Sequence, residues 1–172
     1  MSETELFPET SGAEFSDCRT WRYRLWRIWD DTKPYANFIM LNPSTADANV
    51  LDPTVTRCVD FANRWGYGGL HVTNLFALVS TDPEGLYRAA DPIGPGNDRA
   101  IRETAQGAGA VVCAWGNHGI FTNRRHAALT LLRAAGVKLS YLRMNGTGEP
   151  AHPLYLPGDL MPLDWKVDHG HD

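Results

Sequence analysis

The amino-acid sequence predicts a single α/β domain, built as a three-layer α/β/α sandwich around a mainly parallel central sheet with an antiparallel hairpin at its N-terminal end. Two observations predict this fold. Apolar runs of strand length alternate with segments of helical periodicity, an order typical of parallel strands joined by helical crossovers. The chain also has 172 residues, which is the size of one domain. We expect the domain to span residues 18–166, between flexible tails at 1–17 and 167–172.

The first two strands are expected at residues 20–29 and 35–41. The first of these segments alternates aromatic or aliphatic residues with arginine, which indicates a half-buried strand. Turn-forming residues at 30–34 separate the two segments. We therefore expect them to pair as the antiparallel hairpin.

Strands and helices alternate through the rest of the chain. Asp52 followed by Pro53 is typical of a helix N-cap and first helical position, and an apolar stripe continues this helix to Trp65. Asn97 is expected to cap a later helix, and Asp82 a short helix inside the long loop at 76–96. The remaining elements are strands at 70–75, 110–115 and 137–142 and helices at 97–108 and 122–135.

The composition excludes several classes of protein. With 43% hydrophobic residues and a net charge of -4, the chain is not typical of a disordered protein, and the acidic balance counts against extensive contact with nucleic-acid phosphates. No segment approaches the roughly 20 apolar residues that span a bilayer, so no membrane partner is expected. The three cysteines match no zinc or disulfide framework, which favours reduced thiols and a cytoplasmic location.

Polar side chains follow several of the predicted strands. The carboxyl ends of parallel strands meet at one edge of a sheet, where α/β proteins bind ligands. Asn42 directly follows one strand and Asn74 lies at the end of another, and His118 and His152 lie in glycine- or proline-rich segments beyond two further strands. We expect these residues to lie together.

Each of these residues has two interpretations. Asn42 can cap a turn or orient a water molecule, and Asn74 can cap a loop or pair with the amide-like edge of a pyrimidine. His152 and His118 can be surface histidines or can donate to developing negative charge.

Other chemistries lack their motifs. The sequence has no G-x-S-x-G elbow, no Walker A loop and no dinucleotide-binding glycine pattern after a strand. A metal site could combine His118, His126, His152 and Asp47, but their spacing matches no ligand pattern. We therefore expect neither a metal nor another cofactor.

Six motifs carry a resemblance to a known family. They are MLNPSTADA, RC-x-x-FA-x-x-WGYGGL, TNLFA, DPIGPGND, AWG-x-HG and HPLYLP, and they lie between Ala36 and Leu156. Together they resemble an uncharacterised bacterial and phage family, the domain of unknown function 1643 family.

The order of these motifs also resembles the uracil-DNA glycosylase superfamily, more distantly. That resemblance implies a glycosylase-like fold in which Asn42 positions the hydrolytic water, Asn74 reads the base edge and His152 stabilises the departing base. It further implies a substrate pocket with an apolar wedge at 154–156, while Asp47 and Asp52 are weaker candidates. The pocket residues implied are Pro43, Ser44, Phe76, Trp115, Gly116, His118, Pro153 and Leu154.

The expected function is hydrolysis of an N-glycosidic bond of a pyrimidine base, plain or modified. The partner would be DNA, single-stranded or modified, or a nucleotide-like small molecule. Two alternatives remain open: an enzyme that processes nucleosides or nucleotides, and a non-catalytic module that binds a nucleobase or nucleic acid. A third alternative is a scaffold in which these Asn and His residues only cap loops.

Overall fold

A computed structural model describes residues 9–44 and 52–166 of the chain. The strands in these ranges are β1 (Thr10–Phe15), β2 (Arg22–Ile28), β3 (Tyr35–Met40), β4 (Gly69–Asn74), β5 (Ala110–Cys113), β6 (Ser140–Tyr141) and β7 (Leu163–Asp164). The α-helices are α1 (Pro53–Arg64), α2 (Pro83–Arg88), α3 (Asn97–Gly107) and α4 (Arg124–Ala134). Short 3-10 turns occur at Asn117–Asn123 and Pro153–Tyr155.

The seven strands form one sheet in the order β1-β2-β4-β3-β5-β6-β7. The neighbours β4 and β3, β3 and β5, and β5 and β6 are parallel. The pairs at the two ends of the sheet are antiparallel. The α/β class is therefore confirmed, but the sheet is mixed rather than mainly parallel.

The predicted pairing of the first two strands is wrong. An N-terminal antiparallel hairpin exists, but it joins β1 to β2, while β2 pairs on its other side with β4. Strand β3 lies between β4 and β5, because every residue of it after Tyr35 is buried and such a strand needs neighbours on both sides. Residues 10–15, expected in a flexible tail, form β1 instead.

Helices cover both faces of the sheet. Successive side chains of a strand point to opposite faces. Phe38 accordingly packs in one apolar cluster with Phe61 of α1, and Ile39 packs in a second with Ile101 of α3 and Leu129 of α4. The finer expectation of a glycosylase-type sandwich stays a prediction.

Two of the predicted helix caps are confirmed and one is wrong. Oδ1 of Asp52 accepts hydrogen bonds from the backbone of α1, and Oδ1 of Asp82 does the same for α2. Asn97 is instead the first residue of α3, after Gly96 at the cap. Its buried Nδ2 donates to the backbone oxygens of Asn74 (2.8 Å) and Leu75 (3.1 Å), because these carbonyls lie where the chain leaves the sheet.

The C-terminal part of the sheet also differs from the prediction. The last expected strand, 137–142, is reduced to the two residues of β6. An unexpected strand, β7, then pairs with it antiparallel.

His71 on β4 makes the stability of the fold depend on pH. Its ring lies 4.0 Å from that of Tyr35, and burial, helped by Arg24, lowers its pKa from 6.5 to about 4. Between pH 6.5 and 4 the folded state therefore binds fewer protons than the unfolded state. The contribution of the neutral His71 ring to stability is fully present above pH 6.5 and is lost as the pH falls towards 4. Urea midpoints measured at pH 7, 5 and 4 are expected to fall in that order. His71→Phe, which keeps a ring against Tyr35, is expected to flatten this dependence, and an unchanged slope would count against the assignment.

Candidate functional site

A cavity of about 470 Å³ opens at the edge of the sheet where β3, β4 and β5 end. Because these three strands are parallel, their carboxyl ends bring distant parts of the chain to the same edge. Most of the candidate residues line this cavity. They are Asn42, Pro43, Ser44, Asp52, Asn74, Trp115, Gly116, His118 and His152.

Three other candidates do not line the cavity, and a fourth is not described. Phe76 is fully buried in the cluster beneath α3 and α4, because its side chain faces the core, so it cannot stack on a ligand in the cavity. Pro153 is buried and Leu154 is half-buried beside the cavity, but neither lines it. Asp47 lies outside the described residues. In the expected wedge, Leu156 packs in the core while Tyr155 is 89% exposed.

Asn42 both holds a loop and presents an acceptor. Its Nδ2 donates to the backbone oxygens of Ser80 (2.7 Å) and Pro43 (3.1 Å), which ties the end of β3 to the segment before α2. Oδ1 accepts no hydrogen bond from the described residues. The loop-capping interpretation is therefore correct for the amide nitrogen, while the oxygen remains available to a water molecule or ligand.

Asn74, the last residue of β4, is the most informative residue in the cavity wall. Its side chain is 1% exposed, and within the described ranges its Nδ2 has no hydrogen-bond partner. Leaving a buried donor unsatisfied costs about 1–3 kcal/mol. The residue also lines the cavity, so the unpartnered donor lies in the cavity wall.

His152 presents a neutral donor. Its Nδ1 accepts from the backbone N–H of Leu154 at 3.2 Å. An accepting ring nitrogen carries no proton, so the proton of the neutral imidazole lies on Nε2. Burial lowers the pKa of His152, and the opposing effect of Asp52 does not reverse this. The ring is therefore neutral at pH 7 and donates through Nε2.

Arg22 is a cavity residue that sequence reasoning missed. Its side chain is 3% exposed, and burial lowers its pKa to about 10 although Asp52 opposes the shift, so it stays charged at neutral pH. Arg22 is the first residue of β2, which runs antiparallel to β4. The start of β2 therefore lies at the same edge of the sheet as the end of β4. Arg22 lies at the start of a strand rather than at an end, so the antiparallel pairing of β2 with β4 is the signal that could have identified it.

The rim of the cavity is tied together by side chains. Oδ1 of Asn117 accepts from Nδ2 of Asn145 (2.9 Å) and from the hydroxyl of Thr147 (2.7 Å). Nδ1 of His118 forms a hydrogen bond with the hydroxyl of Tyr87 on α2. These contacts join the loop after β5 to two other segments of the cavity wall. Asn117 and Asn145 also line the cavity and were not among the candidates.

The described parts of the chain contain neither a candidate metal site nor a candidate membrane span. Across residues 9–44 and 52–166, no three His, Cys, Asp or Glu side chains are grouped as they would be around a metal ion. No helix in those ranges combines the length and apolar character needed to span a bilayer.

The fold and the cavity define an α/β protein with a mixed sheet and a polar pocket at the end of its parallel strands. The chain belongs to a family of proteins of unknown function, DUF1643, whose family model matches residues 22–154. The matched range runs from Arg22 to beyond His152 and so includes every residue that lines the cavity. No curated protein and no solved structure matches the chain. The resemblance to uracil-DNA glycosylases thus stays a prediction.

Proposed function

We propose that the protein hydrolyses the N-glycosidic bond of a pyrimidine base, plain or modified, in DNA. One observation carries the proposal: Asn42, Asn74 and His152, which are far apart in sequence, line one cavity. They offer it an acceptor, an unsatisfied donor and a neutral donor. The reaction needs an acceptor that holds the water, a donor that binds the base and a donor that stabilises the leaving group.

Base recognition is assigned to Asn74. A side-chain amide offers a donor and an acceptor together, which complements the edge of a pyrimidine. The unsatisfied Nδ2 finds its acceptor in a carbonyl oxygen of the base. The cavity volume of about 470 Å³ is in the range of small-molecule pockets, so it accommodates one base but no duplex. The base therefore comes from a single strand or is flipped out of the stack.

Bond cleavage is assigned to His152 and Asn42. The bond between the base nitrogen and sugar C1′ breaks, and its electron pair leaves with the base, so that the sugar becomes oxocarbenium-like. Nε2–H of His152 donates to the base oxygen on which negative charge develops. Water, held by Oδ1 of Asn42, adds its oxygen to C1′. Its proton passes to solvent and the base takes up another, so the products are the free base and a sugar hydroxyl.

A free nucleotide or nucleoside is the second candidate substrate. The chain has a net charge of -4, which favours a small ligand over a long polyanion. The same cavity chemistry applies, because the reacting bond is the same. The two substrates differ in how binding responds to salt, since contacts to many phosphates release many counterions.

The proposal is tested by mass spectrometry of free bases. The full chain is incubated with plain and base-modified DNA, single- and double-stranded, and with the matching nucleotides. We expect release of a free pyrimidine from DNA, with a rate constant at limiting substrate that falls steeply between 50 and 200 mM salt. Release from nucleotides alone, with little dependence on salt, would favour the second candidate. No release from any of them, with tight binding of a base, would identify a binding module instead.

A further inference from the structure

We propose that Glu149 is a positioning residue of the cavity, holding the loop after β5 and the segment that carries His152 in one fixed arrangement. The inference rests on the proposed function for its kinetic consequence, but its structural consequence can be measured independently. Glu149 does not line the cavity and touches no ligand position. It acts through the residues that it binds.

The two oxygens of the Glu149 carboxylate bind two different parts of the fold. Oε1 accepts from Nε1 of Trp115 at 2.9 Å, and Oε2 lies 2.8 Å from Nε of Arg125 on α4. The side chain is only 5–6% exposed, and Trp115 is 1% exposed. The contacts are therefore screened little by solvent, and breaking one partner of such a buried pair is costly.

The anchoring extends through the backbone to both walls of the cavity. The N–H of Gly116, which follows Trp115 and lines the cavity, donates to the oxygen of Pro150 at 2.9 Å. The N–H of Asn145, on the rim, donates to the oxygen of Glu149 at 2.9 Å. Glu149 thus lies at the junction of the two loops, three residues before His152.

Arg125 supplies a rigid support for this junction. Its guanidinium lies 5.6 Å from the centre of the Trp165 ring, and that ring lies 5.8 Å from the ring of Trp115. The Glu149 carboxylate is therefore in contact with Arg125 of α4 through one oxygen and with Trp115 through the other. Because a small misplacement of a reacting group lowers the rate strongly, loss of this support reaches the chemistry without touching the substrate.

The test compares Glu149→Gln with Asp98→Asn in the full-length protein. Glu149→Gln keeps an oxygen for Trp115 and removes the charge that faces Arg125. Asp98→Asn is the control for removing an acidic partner of an α4 arginine. Asp98, whose side chain is 59% exposed, pairs at 2.7 Å with the buried Arg124 at the start of α4, and neither residue lines the cavity. Arg125→Gln, which keeps Glu149 and removes the cation that faces it, serves as the second variant if Glu149→Gln does not fold.

Two readouts are expected to separate positioning from general stabilisation. In Glu149→Gln the NMR titration midpoint of His152 is expected to rise as its segment loosens and becomes better hydrated, and the resonance of the Trp115 indole proton is expected to shift. The kcat for base release is expected to fall about tenfold or more, with a smaller change in KM. Asp98→Asn is expected to lower stability and to change neither readout.

The proposal is overturned if Glu149→Gln, or Arg125→Gln in its place, leaves the His152 titration and the Trp115 resonance as they are in the control. If the wild-type protein releases no base, the proposed function fails, and the NMR readouts alone decide the positioning role of Glu149.

Discussion

Replacement of His152 by alanine is expected to slow base release by roughly 100- to 1,000-fold, which is the effect of removing one donor to a developing oxyanion. The loss is expected mainly in kcat, because the hydrogen bond strengthens only as charge moves onto the base. Single-turnover rates of base release, measured by mass spectrometry for variant and wild type, check this expectation.

The matched control for this variant is His126→Ala. His126 is also half-buried, but it lies on α4 and does not line the cavity. It is expected to release bases at the wild-type rate. Equal rates for His152→Ala and the wild type would remove His152 from the mechanism. A loss confined to KM would make it a binding residue.

The pH dependence of the wild type gives the same assignment an internal check. The lowered pKa of His152 keeps the ring neutral at pH 7, so that the hydrogen-bond donor is an uncharged imidazole. Base release is therefore expected to persist below pH 6.5 and to fall only where His152 becomes protonated, because a proton on Nδ1 breaks the hydrogen bond from Leu154 that orients the ring. The midpoint of that fall should match the NMR titration midpoint of the same residue.

Local signals predicted the helices well. The start of α1 follows from Asp52 and Pro53, whose cap chemistry needs no knowledge of the rest of the fold. Strand pairing is different, because it depends on which strands are buried on both sides. The turn at 30–34 suggested a hairpin between β2 and β3, but the burial of β3 requires two neighbours, and β4 inserts between them.

The candidate site was predictable where it follows from parallel strand ends. Asn42 and Asn74 lie at the ends of β3 and β4, and the structure brings both to the cavity with His152. Arg22 was not predictable in this way, since it enters from the start of an antiparallel strand. Glu149 gave no signal either, because its role depends on contacts with Trp115 and Arg125 that only the folded chain creates.

Asn74→Leu is expected to separate stability from function. Leucine has a similar branched shape, and it removes a buried Nδ2 that has no partner among the described residues. The free energy of unfolding is therefore expected to rise by about 1 kcal/mol, as measured by urea denaturation. Base release is expected to fall by about 10- to 100-fold, because the carbonyl of the bound base then loses its donor.

Asn37→Leu is the control for the effect of Asn74→Leu on the free energy of unfolding. Asn37 is equally buried on the neighbouring strand β3, and its Oδ1 has no hydrogen-bond partner among the described residues, but its Nδ2 already donates to the backbone oxygen of His71 at 3.1 Å and to the hydroxyl of Thr73 at 3.3 Å. The same substitution there is expected to destabilise the fold by about 1 kcal/mol, because the loss of the two hydrogen bonds of Nδ2 outweighs the removal of the unpartnered Oδ1. If the free energy of unfolding rises in Asn74→Leu and falls in Asn37→Leu, the unsatisfied donor of Asn74 is kept for a ligand. A destabilising Asn74→Leu that still releases bases at the wild-type rate would make Asn74 a structural residue like Asn37.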